Sequence, residues 1–238
     1  MQQDPEFHRT IYSEQPSELT ARLCQCYRLV AKPLSEAPDD WHLVARSNVL
    51  QLRHPELGQV RLSSAELHRR AAARSRLPLA RACGLRRGLR IHDAFAGWGS
   101  DGLTLWLMGA VVSMTERNVA VHAVLSERCL RMGSPIVPVC MDAADWIQHS
   151  GEEIDVLYLD PIFPPRRKTA KPSVRMQALE AIAESADPRR TFESAAGLVR
   201  ERIVVKRRAH DPVLVPRIDW QIPGRSVRFD VYRAGSCR

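Results

Sequence analysis

The sequence predicts an α/β protein built on a doubly wound, mostly parallel sheet that ends in an antiparallel hairpin, with a small α/β lobe before it. Beyond about residue 88, short apolar runs alternate with segments of helical periodicity, as in parallel strands connected by helices. Near the end, Pro223 and Gly224 separate two strand-like segments, which indicates a hairpin. With 238 residues, 45% of them hydrophobic, the chain can bury one sizeable core and a smaller one. We therefore divide it into an N-terminal lobe over 1–88 and a larger domain over 89–238.

The individual elements follow from apolar periodicity and from capping and turn residues. In the larger domain, strands are predicted over 89–93, 111–116, 136–140, 154–159 and 203–206, and hairpin strands over 220–222 and 227–232. Helices are predicted between them over 101–108, 119–131 and 174–184. In the lobe, the pattern predicts a helix over 17–32, strands within 41–53 and a strand over 60–62.

The chain is basic, with 35 lysines and arginines against 27 acidic residues and a formal net charge of +8. Such a balance favours a polyanionic partner. Arginines crowd the segment 68–90, the basic tail of the lobe, which holds almost no acid. A run of this kind is either a solvated helix face or a surface that contacts nucleic acid, and the residues alone leave both interpretations open.

Composition also argues against several classes of protein. No run of about 18 apolar residues occurs, so no transmembrane helix and no membrane partner are predicted. Asp4 and Glu6 stand where a signal peptide needs basic and apolar residues, so we expect a cytoplasmic protein. The six cysteines show no repeated C-x-x-C spacing, which predicts reduced thiols and no metal site.

A glycine-rich loop follows the first strand of the larger domain. Gly97, Gly99 and Gly102 have the spacing G-x-G-x-x-G between that strand and a predicted helix. Because glycine lacks a side chain, the backbone of such a loop can approach a bound ligand closely. Glu116, at the end of the next strand, is placed to accept hydrogen bonds from ribose hydroxyls. These features suit both a nicotinamide dinucleotide and S-adenosylmethionine.

Two carboxylates beside the loop favour S-adenosylmethionine. Asp93 ends the strand before the loop, and Asp101 opens the helix after it. A diphosphate prefers positive potential at a helix start, whereas a sulfonium with an attached ammonium group gains from nearby carboxylates. The terminal hairpin points the same way, because it differs from the all-parallel dinucleotide sheet.

A second motif follows the strand predicted over 154–159. There the chain reads Asp160-Pro161-Ile162-Phe163, and open α/β sheets bind ligands outside the carboxyl ends of their strands. Asp160 can accept a hydrogen bond from an exocyclic amino group, and Phe163 offers a stacking surface. The motif therefore indicates a device that presents a planar amine. Cations that polynucleotide phosphates could contact follow it and also end a later strand: Arg166, Arg167, Lys168, Lys171, Lys206, Arg207 and Arg208.

Together these motifs resemble the class I S-adenosylmethionine-dependent methyltransferases, and within them the small-subunit (16S) ribosomal RNA guanine-N2 methyltransferase J family. The resemblance implies a Rossmann-like class I methyltransferase sheet and S-adenosyl-L-methionine as cofactor. It further implies methyl transfer to N2 of one guanosine in 16S ribosomal RNA, with the naked RNA or the 30S subunit as partner. The segments that carry it are HRR at 68–70, DAFAGWGSDG at 93–102, TERN at 115–118, MDAA at 141–144, LYLDPIFP at 157–164, VVKR at 204–207 and VRFDVY at 227–232.

The resemblance also implies roles for individual residues. Asp160 and Phe163 are the catalytic candidates: the guanine amine donates to Asp160, which raises the nucleophilicity of the amine, while Phe163 holds the unstacked base. Ser100 stands where the family has arginine, and Ala143 and Ala144 where it has small hydroxyl residues, although backbone contacts can survive both changes. The cofactor contacts fall at Gly97, Gly99, Ser100, Asp101, Glu116, Arg117, Ala143, Ala144 and Asp160.

Other functions are compatible with the same motifs. An Asp-Pro-x-aromatic turn can serve any planar amine, so a protein glutamine or a DNA adenine is an alternative substrate. The glycine spacing with Glu116 also suits a nicotinamide-dependent oxidoreductase. A third alternative is a noncatalytic RNA-binding protein that retains the fold. The arginine-rich segment 68–90 favours RNA as the substrate among these.

Overall fold

The computed structural model describes residues 9–46, 49–162, 172–182 and 186–236. The chain divides into two compact units, each assembled from segments that are distant in sequence. The first unit comprises Met1–Leu62, Asn118–Pro135 and Arg167–Glu184, and the second comprises Ser63–Arg117, Ile136–Arg166 and Ser185–Arg238. The division at residue 88 runs along the chain and stays a prediction.

Strands and helices alternate along much of the chain, and short 3-10 turns occur at Leu34–Glu36, Arg74–Arg76 and Ala234–Ser236. In chain order the elements are β1 (Thr10–Ser13), α1 (Glu18–Tyr27), β2 (Val30–Pro33), β3 (His42–Arg46), β4 (Val49–His54), β5 (Gly58–Gln59), α2 (Ser64–Ala71), α3 (Pro78–Cys83), β6 (Arg90–Asp93), α4 (Ser100–Leu107), β7 (Val111–Met114), α5 (Val119–Arg131), α6 (Ala143–His149), β8 (Ile154–Leu159), α7 (Val174–Ile182), α8 (Pro188–Ala195), β9 (Val199–Arg208), β10 (Trp220–Pro223) and β11 (Val227–Arg233).

The first unit is organised around a five-stranded mixed sheet in the order β2-β1-β3-β4-β5. Strand β1 runs parallel to both β2 and β3, whereas β4 is antiparallel to β3 and to β5. Leu43 and Leu52 face each other across β3 and β4, and both are buried. Apolar cross-strand pairs of this kind stabilise the sheet.

The helix predicted over 17–32 is shorter in the structure. Ser17 caps α1, and its hydroxyl accepts a hydrogen bond from the Thr20 amide at 3.1 Å. Arg28 then adopts a left-handed conformation with a φ of 53°, which ends the helix, and the chain continues as strand β2. The extension of the helix to residue 32 was wrong, because a left-handed arginine leaves no compositional signal where a glycine would have done so.

The second unit contains a six-stranded sheet in the order β10-β11-β9-β8-β6-β7. Strands β7, β6, β8 and β9 are parallel, and β11 and β10 add antiparallel strands at one edge. This confirms the predicted fold class, a Rossmann-like sheet with a terminal antiparallel hairpin. Its central strand β8 is an almost continuous buried apolar run, which is typical of a parallel strand covered on both faces.

Several elements of the structure differ from the prediction. The segment 136–140 is no strand of the sheet, because it makes a single bridge from Val139 to Thr115. The strand predicted over 60–62 is also wrong, since β5 ends at Gln59. Helices α6 and α8 were not predicted, although each follows an aspartate, a common N-cap residue. The side chains of Asp142 and Asp187 accept hydrogen bonds from the first amides of these helices.

Within the first unit, Glu127 of α5 receives hydrogen bonds from Arg22 at 3.0 Å through both oxygens and from the Tyr27 hydroxyl at 3.1 Å. Glu127 is 4% exposed, so Glu127→Ala leaves these donors without their partner at a buried position. We expect the free energy of unfolding, measured by urea denaturation, to fall by about 1–3 kcal/mol. Removing the exposed Arg46 ion pair with Glu14 by Arg46→Ala should cost less than about 1 kcal/mol. Equal losses in the two variants would contradict a structural role for Glu127.

Candidate active site

The candidate active site lies at the carboxyl ends of β6 and β8 in the second unit. From β6 the chain moves to β7 on one side and then returns to β8 on the other, so the strand order reverses between β6 and β8. Open α/β sheets bind ligands in the crevice at such a reversal. Asp93 is the last residue of β6, and Asp160 directly follows β8. The topology therefore brings the two predicted motifs to one place.

The glycine loop adopts a backbone that requires glycine. Gly97 and Gly99 have φ values of 51° and 70°, in the left-handed region that residues with a Cβ rarely adopt. The Gly97 amide donates a hydrogen bond to the Glu116 carboxylate at 3.0 Å. At Gly102, an added Cβ would lie 2.9 Å from an oxygen of Asp93, so helix α4 could not pack as closely on β6. This hydrogen bond thus holds the glycine loop next to the acidic residue that follows β7.

Asp93 carries an unsatisfied oxygen beside this loop. The side chain is 1% exposed, and its Oδ2 accepts a hydrogen bond from the Gly102 amide at 3.1 Å. Its Oδ1 is buried without a hydrogen-bond partner in the described part of the chain. Burial, together with the charges of Asp101 and Asp160, raises the pKa of Asp93 well above its usual range. A cationic hydrogen-bond donor such as the ammonium group of S-adenosylmethionine would satisfy this oxygen and favour its ionised form, so the site fits that cofactor.

Four charged side chains, which we call the charge cluster, connect the loop to the end of β8: Arg70, Asp101, Lys206 and Asp160. Asp101, 6% exposed, forms an ion pair with Arg70 through Oδ1 and with Lys206 through Oδ2 at 3.0 Å. The Tyr158 hydroxyl also donates to Asp101. Lys206 makes a second ion pair with Oδ2 of Asp160 at 2.7 Å. The charge cluster therefore contains two basic and two acidic side chains.

These contacts move the ionisation of the two aspartates in opposite directions. At Asp101, burial would raise the pKa, but the charges of Lys206 and Arg70 outweigh burial and hold the pKa well below its usual range. At Asp160, burial prevails over Lys206, the charge of Asp101 adds to it, and the pKa rises to about 6. Burial would lower the pKa of Lys206, but its two carboxylate partners raise it. The site therefore holds an ionised Asp101 and a carboxyl group at Asp160 that titrates near neutrality.

Asp160 is the more accessible of the two carboxylates in the charge cluster. Its side chain is 28% exposed, and among the described residues only Oδ2 has a hydrogen-bond partner, Lys206. The lysine therefore fixes the orientation of the carboxylate and leaves its other oxygen available to a ligand. Phe163, the second predicted catalytic residue, lies outside the described residues, as do the cations predicted at 166–168 and 171.

The predicted contacts at 116–117 and 143–144 also come together. The Glu116 amide donates to the Val139 carbonyl at 3.0 Å, which sets the chain after β7 beside the segment that leads into α6. Ala143 and Ala144 are the buried first residues of α6. Asp142 caps this helix by accepting from the Ala144 amide at 3.0 Å. It also forms ion pairs with two arginines, Arg117 at 3.7 Å and Arg190 at 3.4 Å.

Sequence reasoning missed how the charged residues of the site are used. Asp101 was expected to repel a diphosphate and Lys206 to contact RNA phosphates, but the structure pairs the two with each other. Tyr158 and Arg70 were not expected to contact the site at all. The signal for Tyr158 was a hydroxyl within the otherwise apolar strand β8, where a buried phenol needs a partner.

Two features of other protein classes are absent from the described ranges. None of their helices is both long and apolar enough to cross a membrane. No three of their histidine, cysteine, aspartate or glutamate side chains are grouped so that they could hold a metal ion.

Comparison with known proteins identifies the family. The family model for SAM-dependent methyltransferases matches residues 23–234. The Ribosomal RNA small subunit methyltransferase J of Alkalilimnicola ehrlichii is 33% identical over 244 residues, covering 92% of this chain and 92% of that protein. The protein of the same name from Marinobacter nauticus is 34% identical over 169 residues, covering 65% of this chain and 61% of the relative.

A solved structure agrees with the fold. The crystal structure of a SAM-dependent methyltransferase from Neisseria gonorrhoeae superimposes with a TM-score of 0.74 at 24% sequence identity, covering 94% of this chain and 96% of that one. The chain belongs to the SAM-dependent methyltransferases, and within them to the ribosomal RNA small subunit methyltransferase J family.

Proposed function

We propose that this protein transfers the methyl group of S-adenosylmethionine to N2 of a guanosine in 16S ribosomal RNA, in the cytoplasm. The observation that carries the proposal is Asp160, a half-exposed carboxylate with one oxygen held by Lys206 and the other available beside the glycine loop. The names of the relatives support ribosomal RNA as the substrate class. The basic net charge of +8 supports a polyanionic substrate.

The cofactor is held by main-chain groups and carboxylates at the ends of β6 and β7. Gly97 and Gly99 allow close approach of the backbone, and the loop continues into Ser100 and Asp101 at the start of α4. Glu116, oriented by the Gly97 amide, presents its carboxylate to the ribose hydroxyls. Arg117, Asp142, Ala143 and Ala144 would hold the adenine edge. Bound S-adenosylmethionine supplies an electrophilic methyl group.

Asp160 activates the amine that accepts the methyl group. The lone pair of the guanine N2 amine is delocalised into the ring, so the free amine is a weak nucleophile. A hydrogen bond from N2 to the available oxygen of Asp160 draws electron density back to the nitrogen and orients the amine for in-line attack. The same carboxylate can accept the proton that the methylated amine must lose. Phe163 is proposed to stack on the base after it leaves the RNA stack.

The function is tested by methyl transfer to RNA from cells that lack the enzyme. Purified protein is incubated with radiolabelled S-adenosylmethionine and with either 30S subunits or naked 16S RNA, and the RNA is then digested to nucleosides. We expect the label in N2-methylguanosine. Label in another nucleoside, or in protein or DNA substrates instead of RNA, would contradict the proposed target.

The role of Asp160 predicts a large loss of turnover in Asp160→Asn. The amide keeps the size of the side chain but loses the charge that activates the amine, so kcat should fall on the order of 100-fold or more. Asp155→Asn is the matched control, because Asp155 lies at the opposite end of the same strand and accepts a hydrogen bond from the Arg90 amide. The control should retain wild-type kcat. Comparable kcat values for the two variants would remove Asp160 from the mechanism.

The charge cluster predicts a pH dependence. Because Asp160 must be ionised to accept from the amine and has a pKa of about 6, kcat should rise as the pH increases through about 6 and then level off. Lys206→Met removes a positive charge that lowers this pKa, so the midpoint should move to higher pH by about 1 unit or more. Lys206→Arg keeps the charge and should restore a midpoint near that of the wild type. A wild-type profile that is flat between pH 5 and 8 would contradict the assignment.

A further inference from the structure

The arginines between residues 69 and 90 separate into two groups. Some of them form ion pairs within the second unit: Arg70 with Asp101, Arg86 with Glu201 and Arg90 with Glu153. The others are exposed and have no acidic partner in the described part of the chain: Arg69, Arg74, Arg76, Arg81 and Arg87.

Three arginines of the second group lie within six residues of Arg70, which contacts the candidate active site, and we call them the arginine surface: Arg69, Arg74 and Arg76. Helix α2 packs on α4 through the buried Leu67, and its Arg70 reaches the cofactor loop, where it donates to the Ser100 carbonyl at 3.2 Å. Arg69, the preceding residue, points to solvent from the same helix turn. Arg74 and Arg76 form the 3-10 turn that follows α2.

The other exposed arginines lie farther along the chain from this point. Arg87 precedes β6 and contacts the region of Gly109, whose added Cβ would lie 3.7 Å from the arginine Cγ. The amide of Gly88 is bonded to the Gly109 carbonyl at the amino end of the strand, whereas Asp93 and the active site lie at its carboxyl end. Arg87 is therefore separated from the site by the length of β6.

Exposed guanidinium groups that are close together in sequence repel one another, and an anion that binds between them relieves this repulsion. Guanidinium groups bind phosphate with two parallel hydrogen bonds, and a nucleotide whose base enters the active site is flanked by phosphates on both sides. Resting on the proposed function, we infer that Arg69, Arg74 and Arg76 form the docking surface for the phosphate backbone of the substrate RNA, next to the nucleotide that is methylated.

The composition of the segment 63–90 indicates contact with phosphates and not recognition of bases. Between residues 63 and 90 the chain has no phenylalanine, tyrosine or tryptophan, the side chains on which unpaired bases stack. Contacts to phosphates position the nucleic acid but carry little sequence information, and they weaken with salt because binding releases counterions. The arginine surface therefore contributes affinity and a salt dependence, while the choice of the target guanosine is made elsewhere.

The test compares two variants of the full chain in which exposed arginines are neutralised, three at the arginine surface and two outside it. In the first, Arg69, Arg74 and Arg76 are all replaced by Gln; in the control, Arg81 and Arg87 are replaced by Gln. Binding of unmethylated 16S RNA is measured at several salt concentrations, together with KM and kcat for methyl transfer. For the first variant we expect an RNA Kd weakened roughly 10- to 100-fold at low salt and a slope of log K against log salt reduced by about 2. Its KM for RNA should rise while kcat at saturating RNA and the affinity for S-adenosylmethionine stay unchanged.

The control variant should keep a salt slope and Kd close to those of the wild type. An unchanged salt slope in the first variant would overturn the inference, as would a loss of affinity that is equally large in the control. A loss seen with 30S subunits but not with naked RNA would also overturn it, because the surface would then contact a ribosomal protein. If the wild type itself forms no N2-methylguanosine, the proposed function fails, and this outcome is read from the nucleosides independently of the variants.

Discussion

The site depends on the burial of one carboxylate. Asp101 lies in the first turn of α4 with 6% of its surface exposed, and an uncompensated charge at such a depth would cost several kcal/mol. Its charge is neutralised by Arg70 from α2 and Lys206 from β9, residues that are distant from it in sequence. The ion pairs of Asp101 with Arg70 and Lys206 thus hold α2, α4 and β9 together. These elements in turn position the cofactor loop and the end of β8.

Lys206 couples the cofactor side of the site to the substrate side. One ammonium group serves Asp101 beside the glycine loop and Asp160 at the end of β8, so the two carboxylates compete for the same charge. Asp101 receives further donors, Arg70 and Tyr158, and stays ionised. Among the described residues, Asp160 has a single hydrogen-bond partner, Lys206, which does not outweigh burial, so the pKa of Asp160 is raised and one of its oxygens stays accessible. The difference in partners turns two similar carboxyl groups into one that stays ionised and one that titrates near neutrality.

The sequence predicted the sheet of the second unit because its strands are buried apolar runs that end in recognisable residues, Asp93 and Asp160. It predicted the glycine loop from the spacing of the glycines. In the structure, Gly97 and Gly99 have left-handed backbone conformations that residues with a Cβ rarely adopt. It could not predict which charges pair, since Asp101 and Lys206 are brought together only by the sheet order. The glycine motif alone was also compatible with a nicotinamide cofactor. The match to the family model identifies S-adenosylmethionine as the cofactor.

At positions 100 and 144, this chain departs from the pattern that the resemblance implies. At both positions, side chains of other residues hydrogen-bond to the main chain and hold it in place. Ser100 replaces an arginine, but its carbonyl accepts hydrogen bonds from Arg70 and from the Thr104 hydroxyl at 2.6 Å, so the start of α4 remains fixed. Ala144 replaces a hydroxyl residue, but its amide is bonded to Asp142. A contact that depends on the position of the backbone survives such substitutions. The cofactor site of this chain is therefore defined less by the side chains at its loop positions than by the buried residues that hold the loops in place.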